Sequence, residues 1–95
     1  MNEELEFSLE KIEDTYNHIE RLIGICKESL QKLDQDFNTL QEHMGGEQTI
    51  IDSYKDKKNS LFQIIDLMKM MSQIILNKKI ELEEKTNYIK NHIEE

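Results

Sequence analysis

The side chains able to do chemistry are few and scattered. They comprise His18, His43 and His92, a lone Cys26, and carboxylates gathered as Glu3, Glu4 and Glu6 near one end and Glu81, Glu83, Glu84, Glu94 and Glu95 near the other. A metal site on helices needs ligands one turn apart, as in His-Glu-x-x-His or Glu-x-x-His, because such residues share a face. Neither spacing occurs here, nor does a Gly-rich phosphate loop or a Gly-x-Ser-x-Gly nucleophile elbow. Cys26 has no second Cys with which to form a disulfide or a thiolate metal pair. It falls within an apolar series, where it reads as a small buried hydrophobe rather than a nucleophile. The residues assign no catalytic, cofactor or metal role, so the sequence reads as non-enzymatic.

The elements that position these side chains are helical. The chain lacks Pro, Ala and Val, and the Gly45-Gly46 pair is its one clear break. Glycine accepts positive φ without steric cost, which marks that pair as a turn. Before it, Leu5, Leu9, Ile12, Tyr16, Ile19 and Ile23, then Cys26, Leu30, Leu33, Phe37, Leu40 and Met44, recur at alternating steps of four and three. That is a coiled-coil seam. After the turn, Tyr54, Leu61, Met68, Ile75, Leu82 and Ile89 keep a seven-residue step, while the companion column Ile51, Lys58, Ile65, Ser72, Lys79, Thr86 and Ile93 mixes apolar with polar. Polar residues at such positions lower stability but select register.

Folding at the glycine pair sets Leu33 opposite Leu61, Cys26 opposite Met68, Ile19 opposite Ile75 and Leu5 opposite Ile89. The expectation is an all-α, two-helix antiparallel coiled-coil hairpin occupying residues 1–95 as a single domain. Its helices span 3–44 and 48–93, with a turn at 45–47. In this fold His43 lies by the turn, His18 further toward the open end and His92 near that end, so the three cannot share a metal. The Glu clusters meet at the open end as a solvated acidic tip able to dock a basic surface.

A formal charge of −8, from 12 basic and 20 acidic residues, repels nucleic acid and anionic membrane surfaces. The most apolar stretch, Leu61 to Leu76, contains Asp66 and Lys69 and is too short to span a bilayer. Residues Met1-Asn2-Glu3-Glu4 lack the basic start and apolar core of a secretory signal. With the unpaired Cys26, this leads to the expectation of a reduced, cytoplasmic location, any export following a route independent of such a signal.

Two helices alone leave each other half exposed, and between 61 and 76 the second helix adds Phe62, Ile64, Leu67, Met70, Met71 and Ile74 outside the seam. An apolar patch of that size marks a binding surface, and clustered methionines suit an adaptable one. These residues are the expected partner-binding set. The partner presents its own helical apolar face, completing a four-helix bundle. It is a different protein or a second copy in a homodimer.

The paired long helices, the short turn and Met44-Gly45-Gly46, followed eight residues after Gly46 by Tyr54, resemble the small WxG-motif hairpin proteins of type VII secretion in Gram-positive bacteria. Met44 stands where that family has Trp, and Gly46 matches its Gly. The family's export signal is an aromatic followed four residues later by an acid. Phe62 and Asp66 have that spacing, whereas Tyr88 is followed at that distance by His92. The chain is most similar to the divergent small proteins associated with LXG-type toxins. The resemblance implies a targeting factor or chaperone that binds the helical N-terminal domain of the secreted toxin. A self-associating structural coiled coil and an antitoxin-like cap are the alternatives that the residues leave open.

Overall fold

The computed structural model describes residues 2–93, with the side chains of 3–92. Helix α1 runs Asn2–Met44 and helix α2 runs Gln48–Ile93; they pack against each other as an antiparallel hairpin. Good helix formers and the absence of Pro allow helices this long, and charge placement suits their dipoles. Glu3 and Glu4 lie in the first turn of α1, and Lys90 and His92 in the last turn of α2. Glu94 and Glu95, assigned above to the acidic tip, lie outside the described residues.

The reversal uses one left-handed residue. Gly45 has φ +75°, and its N–H still donates to the Gln41 carbonyl at 3.1 Å, closing the last turn of α1. The Glu47 N–H then donates to the Gly45 carbonyl at 3.1 Å, and the Glu47 carbonyl accepts from the Ile51 N–H at 3.1 Å, which starts α2. Gly46 does not need positive φ.

The molecule is a rod of 74 × 15 × 15 Å with a radius of gyration of 21.3 Å, where a compact domain of this length would have about 12 Å. Its core is correspondingly thin. Ile19, Ile23 and Ile65 are the buried apolar residues among those described, with Cys26, Met68 and Ile75 packed on them. Cys26, Met68 and Ile75 thus share one cluster with Ile19, but the contacts across the seam, Asp34 with Lys58, Glu20 with Ser72 and Phe37 with Tyr54, offset the helices by two to three residues from the expected pairing of Cys26 with Met68 and Ile19 with Ile75. Accessible surface is 7383 Å², against about 5,800 Å² for a compact monomer of this mass. The excess reflects the rod shape, and Phe62, Ile64, Leu67, Met70, Met71 and Ile74 are among the large apolar side chains left exposed.

Candidate partner-binding face

Three of the four polar members of the α2 seam find carboxylates on α1, while the Thr86 hydroxyl donates to the Leu82 carbonyl of its own helix. Lys58 Nζ lies 3.3 Å from Asp34, Lys79 Nζ 3.9 Å from Glu13, and the buried Ser72 hydroxyl donates to Glu20. Glu13, Glu20 and Asp34 each follow a seam residue (Ile12, Ile19, Leu33) by one position, so a heptad column that is acidic except at Lys27, the member next to apolar Ile65, meets the polar column of α2. A shift of one heptad along the rod would bring Asp34 or Glu20 onto the apolar Ile65. The partly exposed ion pairs stabilise little, but they penalise wrong registers.

Tyr54 links this ladder to the closed end. Its hydroxyl donates to Asp34 and accepts from Lys58 at 3.1 Å, while its ring stacks on Phe37 with centroids 3.8 Å apart. The Tyr54 hydroxyl and then Lys58 hold the Asp34 carboxyl below its usual range, against an opposing desolvation effect. Hydrogen bonds to Tyr54 and Asp34 raise the Lys58 ammonium.

Pairing by these contacts gives the rod two unlike faces. On one, the positions that follow the seam come together: Glu20 and Lys27 of α1 border a groove with Lys69 and Leu76 of α2. On the other, the positions that precede the seam meet. Asp36 lies across from Lys57 near the turn, and Ser8 across from Lys85 near the open end. This second face is apolar. It begins in a groove of about 360 Å³ floored by Leu33, Phe37, Leu40, Ile50 and Tyr54, and ends in one of about 770 Å³ containing Leu5, Tyr88 and Ile89.

Between the two grooves lies the middle of α2. Ile64, Leu67, Met71 and Ile74 repeat at steps of three and four, a second heptad stripe beside the seam, and are 47%, 57%, 43% and 65% exposed. Met70, 64% exposed, stands at its outer edge. Phe62 is separated from this set. It is exposed, but at 100° per residue it points about 160° away from Ile64, in the column of Lys69 and Leu76 on the polar face. The sequence reading grouped all six because it counted residues without resolving which flank of the seam each occupies.

That reading also missed α1's share of the face. Half-buried Leu22 precedes the seam residue Ile23, and Ile25, 51% exposed, lies one turn further on the same side. Their heptad positions correspond to those of Ile64, Met71, Leu67 and Ile74, which was the available signal. The export-motif candidates are all on the surface. Phe62 and Asp66 sit one turn apart on α2, and Tyr88 stacks on His92 with centroids 3.9 Å apart. Met44 is 58% exposed at the turn, beside Gly45 and Gly46.

Among the described residues no cluster of His, Cys, Asp and Glu is arranged to hold a metal, and no helix is long and apolar enough to cross a membrane. Fold and surface define an all-α antiparallel helical hairpin with one uncovered apolar face. Compared with known proteins, the chain matches no family model, no curated protein and no solved structure.

Proposed function

We propose that this protein is a helical docking partner, a targeting factor or chaperone whose apolar face receives the helical N-terminal domain of a type VII secreted toxin of the LXG kind. The observation that carries the docking role is the exposed apolar stripe of Ile64, Leu67, Met71 and Ile74, with a groove toward each end of the same face. The type VII assignment rests on the hairpin resemblance and the Met44-Gly45-Gly46 turn.

Magnitudes say how much of the face the partner covers. Full burial of a large apolar side chain stabilises by about 1.5 to 3 kcal/mol. Ile25, Ile64, Leu67, Met71 and Ile74 are 43–65% exposed, so covering each recovers roughly 1 kcal/mol, about 5 kcal/mol together. Association costs about 4 to 15 kcal/mol before any net affinity appears. The middle stripe alone therefore only approaches break-even, and a stable complex must also fill the end grooves. The partner is a long helix or a helical pair lying along the rod, the pair completing a four-helix arrangement.

Co-expression with the products of adjacent genes and co-purification tests this. A heterologous complex that persists in about 0.5 M salt, where screening is strong, is the expected result. Recovery of self-assembled protein alone would favour a structural coiled coil, and dissociation by salt would overturn the apolar mechanism.

A further inference from the structure

We propose that the hairpin is a two-register device. Helix α1 can slide along α2 by about half a heptad, roughly 5 Å at 1.5 Å per residue, and Glu13, Glu20 and Asp34 hold it in the register described above. Apolar packing along the middle of the rod does not choose between the two positions. In the observed register Phe37 stacks on Tyr54, and steps of seven from that pair set Leu30 with Leu61, Ile23 with Met68 and Tyr16 with Ile75. After the slide the other seam column of α1 takes over the same partners, so that Leu40 meets Tyr54, Leu33 meets Leu61, Cys26 meets Met68 and Ile19 meets Ile75. The degeneracy arises because α1 is apolar in both of its seam columns, whereas α2 is apolar throughout only one.

The ends of the rod favour the slid register. As observed, Leu40 and Met44 are 42% and 58% exposed beside the turn, and Leu5 and Ile89 line an open groove of about 770 Å³. Sliding brings Leu40 onto Tyr54, Met44 opposite Ile51 and Leu5 opposite Ile89. The polar column opposes it. Lys58, Ser72 and Lys79 meet Asp34, Glu20 and Glu13 as observed, but in the slid register the equivalent places hold Asn38, Gly24 and Asn17, none of them charged. The carboxylates then lie about half a heptad to either side. The slide also gives up the Phe37–Tyr54 stack and the first turn of α2, leaving 45–50 as the connection. That turn is a weak one to lose, since Thr49 and Ile50 are β-branched. Carboxylates on α1 thus decide between two packings of the same apolar residues. This inference concerns the hairpin itself and stands whether or not the docking role holds. Because Leu22 and Ile25 ride on α1 while Ile64, Leu67, Met71 and Ile74 ride on α2, a ligand spanning both helices would favour one register over the other.

The test is a pair of distances along the rod, read by pulsed electron paramagnetic resonance between spin labels in a Cys26→Ser background. Labels on cysteines introduced at exposed Glu10 and Asp56 move apart by about 5 Å when α1 slides toward the open end. Labels at exposed Gln35 and Asn87 approach by the same amount, and these opposite signs distinguish sliding from separation of the helices. With the carboxylates intact each pair should give one distance. E13Q/E20Q/D34N should add a second population to both, shifted by about 5 Å in opposite directions. Adding N17D/N38D to that variant offers acids to Lys79 and Lys58 in the slid register, and should move most molecules into it. Unshifted distances in the five-substitution variant would overturn the proposal. Loss of its helical circular dichroism would do so too, because the slid register would then not be a stable packing.

Discussion

Placing a carboxylate on either face of α2 should have opposite consequences although the sites look alike. Leu67 and Phe62 are 57% and 45% exposed on the same helix, but Leu67 belongs to the apolar face and Phe62 to the polar one. In the free hairpin Leu67→Glu gives up less than half of a Leu side chain's burial, about 1 kcal/mol or less. In a complex it loses the remaining contact, roughly 1 to 2 kcal/mol, and places a charge against apolar surface. The latter adds at least about 1 to 3 kcal/mol, so affinity should fall by about a hundredfold or more. Phe62→Glu should lower hairpin stability by a similar small amount and leave affinity within about threefold, since a flank outside the interface changes little. Urea denaturation followed by circular dichroism gives the first quantity for both variants. Calorimetric titration with the recovered partner gives the second. Equal loss of affinity in the two variants would refute the two-face geometry, and loss in Phe62→Glu alone would reverse it.

Other outcomes follow from the turn, the ladder and the mid-helix glycine. Gly24→Ala should raise stability by about 1 kcal/mol, because a Cβ there meets nothing within 4 Å. Gly45→Ala should cost about 1 to 2 kcal/mol, because φ is +75°; equal urea midpoints for the two variants would contradict both. Asp34, held below its usual value of 3.8 chiefly by the Tyr54 hydroxyl, contributes stability that is present above that value and is lost as pH falls through its lower folded value. Urea midpoints should therefore drop less between neutral and acid pH in Asp34→Asn than in the parent, and parallel profiles would remove Asp34 from the account. Ser72→Leu should add apolar burial yet loosen register, because buried Ser72 then no longer bonds Glu20. Crosslinks between cysteines introduced at Glu13 and Lys79 should fall in yield, and an undiminished yield would show that Ser72 does not select register.

The hairpin was legible in the sequence because a heptad is a local pattern. Steps of four and three up to Met44, one glycine pair and a seven-residue step beyond it place the helices and the turn, and Gly45 takes the left-handed conformation such a break requires. The alternating polar column of α2 also announced a register device, although its partners did not show. Glu13, Glu20 and Asp34 resemble any other surface acids until the helices are paired, since a contact between residues 20 and 72 depends on the pairing geometry. The apolar excess on α2 was visible by composition, but its handedness was not. Which flank of the seam faces which flank of the other helix is a property of two packed rods. Only that pairing brings the flank of α1 that carries Leu22 onto the same face as the flank of α2 that carries Ile64 and Met71.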